Sequence, residues 1–126
     1  MSLVIEGPEG LLLVRRPDDD EDLPGVWGLP AATLAQGESE EDAVRRAGRD
    51  KLGVEVRPLR AVGVDGFMTD WQAELVSGKP AVPQPGPHTQ YAELRWGEPS
   101  QLVPAARRGS LCSRVLLRAR GMDWGR

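Results

Sequence analysis

Residues Trp27–Val54, WGLPAATLAQGESEEDAVRRAGRDKLGV, decide the fold. Val26–Leu29 is strand-like and stops at Pro30, and a loop follows as far as Gly37-Glu38. Ser39 is placed to cap a helix, and Glu40, Glu41 and Asp42 put acids in its first turn, where they complement the helix dipole. Ser39-x-x-Asp42 is a weak form of the capping box, with aspartate in place of glutamate. Val44, Gly48 and Leu52 recur at i, i+4 and i+8 and mark the buried stripe. Gly53 suits the left-handed position that closes a helix. Gly48 inside the helix costs about 1 kcal/mol relative to alanine, unless close packing demands it.

Outward from this segment, the pattern is mostly strand. Leu3–Ile5 and Leu11–Val14 flank Gly7-Pro8-Glu9-Gly10, which predicts a hairpin. Asp18–Asp22, DDDED, reads as a solvated loop, with metal binding or gating as the less ordinary alternative. Val54–Val64 predicts one or two strands, Trp71–Val76 another, and Tyr91–Trp96 a further one. Ser77–Pro87 is broken by glycines and prolines into a loop. Pro99–Leu102 predicts a short helical turn and Leu111–Arg120 a terminal helix. Strands, helix, strands, helix is the order of a sheet packed between helices.

The bulk numbers narrow the function. A chain of 126 residues suits a single domain, 1–126, and 40% hydrophobic residues are too many for a disordered chain. A net charge of −3 gives no reason to expect nucleic-acid binding. Cys112 is the one cysteine, which excludes an intrachain disulfide and a cysteine-rich zinc site. No apolar run approaches the ~20 residues needed to span a membrane, and no signal-like segment opens the chain. A cytoplasmic location is the default expectation.

With Gly53-Val54 as its last pair, the segment resembles the box of the Nudix hydrolases. That box reads Gly, five residues, Glu, seven residues, then Arg-Glu-U-x-Glu-Glu-x-Gly-U, with U aliphatic. Glu38 falls on the first glutamate, in a Gly37-Glu38-Ser39 context, and Arg46 on the arginine. Trp27-Gly28-Leu29-Pro30 is similar to the family's lead-in, and Glu93-Leu94-Arg95-Trp96 to its late strand, which often carries an acid. The resemblance implies a Nudix α/β/α sandwich, a mixed sheet with the box helix on one side and the C-terminal helix on the other. It also implies Mg²⁺- or Mn²⁺-dependent hydrolysis of nucleoside diphosphate derivatives, in which water attacks phosphorus and splits the pyrophosphate.

The departures from the pattern bear on that chemistry. Ala32 replaces the opening glycine, Ala47 the glutamate after the arginine, Gly48 the aliphatic residue, and Asp50-Lys51 the final glutamate pair. In the family those glutamates bind the metals. Mg²⁺ needs hard oxygen ligands in an octahedral shell, and the bound metal lowers the pKa of the attacking water. By i, i+3 and i+4 spacing, positions 47, 50 and 51 should share a helical face. That face now reads Ala, Asp, Lys. Unit charges about 4 Å apart interact by roughly 4 kcal/mol at an effective dielectric near 20, so a lysine in place of a glutamate exchanges attraction for repulsion.

Each candidate residue has two readings. The resemblance puts Glu38, Arg46 and Asp50 in the catalytic set; Glu38 and Arg46 are also suited to bracing the loop against the helix. Asp50 and Glu93 are the candidate metal ligands, against a solvated helix acid and an ordinary strand residue. Arg49, Lys51 and Trp27 are candidates for holding substrate, with Lys51 replacing metal charge by contacting phosphate directly. For Trp27, Trp71 and Trp96, core packing is the stronger expectation. His88, in a Pro/Gly-rich loop, is expected to be bystander chemistry.

The first functional expectation is a Nudix-family protein acting on nucleoside diphosphate derivatives, with an impaired or altered metal site and Mg²⁺ or Mn²⁺ as cofactor if active, or no cofactor at all. The alternatives are a non-catalytic module that binds a nucleotide or phosphorylated small molecule, and an interaction scaffold using an apolar patch around Trp71 or Trp124. Neither nucleic acid nor membrane is expected as a partner. A homodimer is an open expectation, because dimers are common among the proteins this chain resembles.

Overall fold

The computed structural model describes residues 1–82 and 91–125. The N-terminal hairpin forms as the sequence predicts: β1 (Ser2–Gly7) and β2 (Gly10–Arg15) run antiparallel around a tight turn. Both strands alternate sides. Leu3, Ile5, Leu12 and Val14 enter one core, while Val4, Leu11 and Leu13 enter another. Strands with both faces apolar belong in the middle of a covered sheet, and β1 and β2 stand there.

Four further strands complete the sheet: β3 (Trp27–Gly28), β4 (Glu55–Asp65), β5 (Met68–Ser77) and β6 (Glu93–Gly97). The order is β3-β2-β1-β5-β4, with β6 also pairing β2. β1 and β5 are parallel, with Ser2 opposite Asp70, and the other pairings are antiparallel, so the sheet is mixed. Val54–Val64 resolves into one strand, not two, at the end of the order. Pro58 and three register shifts interrupt its ladder. Such irregularities discourage an edge strand from pairing with another chain.

Helix α1 (Glu40–Ala47) covers the first core through Ala43, Val44 and Ala47, and the Ser39 hydroxyl caps it by accepting from the Asp42 N–H at 3.1 Å. Only half of the capping box forms, since the Asp42 carboxylate accepts instead from Arg45. The helix continues as a π-helical turn over Gly48–Leu52 and closes at Gly53, whose φ of 67° is left-handed. Gly48 is there for space: a Cβ on it would lie 2.9 Å from Val56 Cγ2 and 3.2 Å from the Val54 carbonyl oxygen.

The second core is covered by a 3₁₀ turn (Pro99–Leu102), a short helix α2 (Val103–Arg107) that the sequence reading lacked, and α3 (Leu111–Ala119). Leu102, Ala106, Leu116 and Leu117 pack there against Val4, Leu11 and Leu13. The sheet thus lies between α1 on one face and α3 on the other, the sandwich expected. Among the described residues no helix is long and apolar enough to cross a membrane.

Candidate functional site

A cleft of about 530 Å³ opens where the box segment leaves β3. It is lined by Ala31–Leu34 of that segment, Lys51 of the π turn, Arg16 just beyond β2, Phe67 and Met68 at the β4–β5 turn, Tyr91 before β6, and Met1. This size is within the usual range for small-molecule sites. Backbone bonds hold the lining in place. The Leu3 N–H donates to the Pro30 carbonyl at 2.8 Å, and the Ala32 N–H donates to the Met1 carbonyl at 3.0 Å. The Tyr91 hydroxyl accepts from the Ala31 N–H at 2.9 Å and donates to the Ala31 carbonyl at 3.3 Å. Burial is the main reason the Tyr91 phenol titrates above its ordinary range.

Two cationic side chains face this space. The Lys51 ammonium lies 5.9 Å from the centroid of the Tyr91 ring, close enough for a cation–π attraction. Arg16 is bonded to Asp20 at 3.3 Å. Asp20 also accepts from the Asp22 and Leu23 N–H groups, so the central acid of the DDDED run folds its own loop. Burial works to raise the Asp20 pKa, but the Leu23 N–H and Arg16 outweigh it and hold the carboxyl below its ordinary value.

Glu38 and Arg46 form a two-point pair, Nε to Oε2 and Nη2 to Oε1, both at 2.9 Å. Arg46 Nη2 also donates to the Thr33 carbonyl at 2.8 Å, and the Ala35 N–H donates to Glu38 at 2.9 Å. The arginine hydrogen bonds, helped by that N–H, bring the Glu38 carboxyl down to about 2. The pair ties loop to helix.

The other sequence candidates are dispersed. Ala47, Asp50 and Lys51 do not share one lining: Ala47 is 0% exposed in the α1 core, Asp50 is exposed, and of the three only Lys51 reaches the cleft. The chain leaves α-helical periodicity at Gly48; the wider π turn carries Asp50 round from Ala47 but leaves Lys51 nearly in line with it, and Ala47 is kept from the cleft by its own burial. Asp50 stands near Arg46, where its charge helps to raise the arginine pKa. Arg49 lies 3.8 Å from Glu55 and lines a separate depression with Gly53 and Gly78. Trp27 packs on the α3-side core, with the Arg95 guanidinium 4.1 Å from its ring. Glu93 accepts from Arg15 at 3.0 and 3.2 Å. His88 lies outside the described residues. Among those residues, no three of His, Cys, Asp and Glu gather into a group able to hold a metal ion.

Sequence reasoning passed over Arg16, Leu34, Phe67, Met68 and Tyr91. One signal was available for two of them: Asp65-Gly66 between two β-rich runs marks a hairpin turn, and that turn carries Phe67 and Met68 to the cleft.

Comparison with known proteins agrees with this architecture. The family model of the NUDIX domain matches residues 1–118. The NAD-capped RNA hydrolase NudC of Stutzerimonas stutzeri is 34% identical over 100 residues, covering 75% of this chain and 33% of the relative. That of Pseudomonas aeruginosa is 32% identical over 120 residues, covering 90% and 40%. The chain therefore spans about a third to two-fifths of the length of these curated relatives. Among solved structures, a NUDIX hydrolase from Nitrosomonas europaea superposes with a TM-score of 0.72 at 18% identity, covering 95% of this chain and 86% of the other. The MutT protein of Methanosarcina mazei gives 0.69 at 16%, covering 95% and 90%. At such identity these structures speak for the fold alone. The chain belongs to the NUDIX family.

Proposed function

We propose that this NUDIX domain binds the phosphate groups of a nucleotide-derived ligand in the Lys51 cleft, and that metal-dependent hydrolysis there is impaired. The observation that carries the proposal is Lys51 itself. It occupies the last glutamate position of the box pattern and faces the cleft together with Arg16. A phosphate at that position meets ammonium and guanidinium groups, the side chains that bind phosphate oxygens by charge-assisted hydrogen bonds.

The donor set does not suit Mg²⁺ or Mn²⁺. Hard cations require several oxygen ligands, while the charged side chains facing the cleft are basic. Glu38 is taken up by Arg46 and Glu93 by Arg15. NudC relatives named for hydrolysing NAD-capped RNA support a nucleotide-derived diphosphate as the ligand class. Residual hydrolysis is the second reading, and exposed Asp50 beside Arg46 favours it as a surviving carboxylate. The scaffold reading has less support: Trp71 donates to Glu40 at 3.0 Å, and Arg114 and Arg118 lie over Trp124.

Calorimetric titration with ADP-ribose and inorganic pyrophosphate, with and without Mg²⁺, tests the proposal. Micromolar binding that needs no metal and is lost in Lys51→Glu is the expected outcome. Efficient Mg²⁺-dependent turnover by the wild type, abolished in Asp50→Ala, would overturn it.

A further inference from the structure

A separate pocket, of about 440 Å³, opens on the α3 face of the sheet and shares no lining residue with the Lys51 cleft. Its origin is the length of α3. Leu116 and Leu117 pack with Val4 in the second core, but the helix ends at Ala119. Beyond that end the sheet carries polar side chains. Gln72 stands opposite Val4 across β1 and β5, Arg60 stands opposite Gln72 across β5 and β4, and Glu6 lies two residues past Val4. All three line the pocket, together with Val62, Ala119 and Arg120.

The polar groups are held in place and still keep free ends. Gln72 Oε1 accepts from Arg60 Nε at 3.0 Å. That bond orients the guanidinium and leaves its two terminal nitrogens, and the Gln72 amide nitrogen, without a hydrogen-bond partner among the described residues. No described carboxylate pairs with Arg60, whereas Arg57 on the same strand pairs with Glu74. An arginine steadied by an amide, and not neutralised by an acid, presents its planar fork to an incoming carboxylate. Glu6 supplies the other sign. Its Oε1 accepts from Arg120 Nη2, and its Oε2 accepts from no described group. It stands beside the C-terminal end of α3, where the helix dipole is negative. β5 separates β1 from β4, so Glu6 and Arg60 rise from strands about 10 Å apart. They do not pair with each other, and the space between them is of ligand size.

We propose that this pocket binds a small α-amino acid as its zwitterion, the carboxylate accepting from the Arg60 fork and the Gln72 amide, the ammonium donating to Glu6 at the end of α3. Val62 and Ala119 give the pocket a small apolar wall, which suits a short aliphatic side chain. The site uses no group of the Lys51 cleft, so it stands or falls apart from the phosphate-binding reading.

Calorimetric titration with L-alanine, N-acetyl-L-alanine and L-alanine methyl ester, on wild type, Arg60→Gln, Glu6→Gln and Lys51→Ala, tests the proposal. Glu6 and Arg60 are both exposed, so their variants keep the fold. One charge-assisted hydrogen-bonded contact corresponds to about tenfold in affinity. The expected result is saturable millimolar binding of L-alanine to wild type, weakened by that factor or more in Arg60→Gln and in Glu6→Gln and unchanged in Lys51→Ala. The acetylated compound lacks the ammonium and the ester lacks the carboxylate, so each should show a loss of the same order. Alanine binding that neither pocket variant weakens would overturn the site. N-acetyl-L-alanine bound as tightly as L-alanine would overturn the zwitterion, and no alanine binding in the millimolar range would overturn the whole proposal.

Discussion

Arg46 and Glu38, eight residues apart, meet through two hydrogen bonds of 2.9 Å, and the same guanidinium reaches the Thr33 carbonyl. One side chain of the helix therefore fixes both ends of the loop that borders the cleft. Glu38 titrates at about 2 in the folded protein against an ordinary 4.5. A carboxyl with a depressed folded pKa stabilises the fold above its unfolded pKa and loses that contribution as pH falls through the folded one. The window here runs from about 4.5 down to about 2. Thermal melts across it should show wild type losing stability toward Glu38→Gln, the gap closing by the acid end. A gap that stays constant across those pH values would remove Glu38 as the titrating group.

Asp70 carries the opposite sign. It is 0% exposed; its Oδ1 accepts from the Ser2 hydroxyl at 2.6 Å, and its Oδ2 has no partner. Burial raises its pKa from 3.8 to about 7, despite the opposing Ser2 bond. The unfolded state ionises first, so stability falls as pH rises from about 3.8 to about 7 and is level above. The slope is at most about 1.4 kcal/mol per pH unit. Asp70→Asn should gain on wild type through that interval, as read by urea unfolding at a series of pH values. A parallel offset between the two proteins would show that Asp70 does not titrate there.

Gly48→Ala sets helix propensity against crowding. Alanine recovers about 1 kcal/mol of propensity, but its Cβ would press on Val56 and the Val54 carbonyl. Overpacking of this kind costs about 1–3 kcal/mol, and a backbone oxygen yields little. The expected net is a loss of about 1 kcal/mol, partly recovered by adding Val56→Ala, with denaturant midpoints as the measure. A stabilised Gly48→Ala would mean that the π turn relaxes to accommodate it.

Restoring box glutamates should expose the difference between positions 47 and 51. Lys51 already lines the cleft, so Lys51→Glu is expected to fold normally and to lose metal-free phosphate binding without gaining strong Mg²⁺ affinity, because one carboxylate does not supply the several oxygen ligands needed. Ala47 is wholly buried, so Ala47→Glu is expected to cost about 3 kcal/mol or more as an unpaired buried charge. Melting each variant with and without Mg²⁺ distinguishes them. An Ala47→Glu protein as stable as wild type without metal would show that this side chain has a route outward.

Much of the fold was legible. Unbroken apolar runs at Leu3–Ile5 and Leu11–Val14 placed the central hairpin, and Ser39, Gly48 and Gly53 placed the start, the packed face and the end of the box helix. The cleft was less legible, because its lining comes from six segments apart in sequence, and their meeting depends on long-range pairing. Asp65-Gly66 marks the turn that carries Phe67 but not that it borders a cleft, and Tyr91 carries no local mark at all. That Lys51 lines the cleft without Ala47 or Asp50 was not legible, because a π turn has no reliable sequence signature and the burial of Ala47 depends on tertiary packing. The pairing of Glu93 with Arg15 is a cross-strand contact between β6 and β2 and could not be read along the chain.

The parallel pairing of β1 with β5 has a consequence for how the polypeptide assembles. Ser2 meets Asp70 across 68 residues of chain, so on a ribosome the N-terminal hairpin emerges long before the strand that completes the sheet's interior. Pairings of such separation form slowly, and an uncovered strand edge invites contact with other nascent chains. A pause in translation before Met68–Ser77 has emerged would lengthen that exposure, whereas one after that stretch has left the ribosome would come when β1, β4 and β5 can already pair.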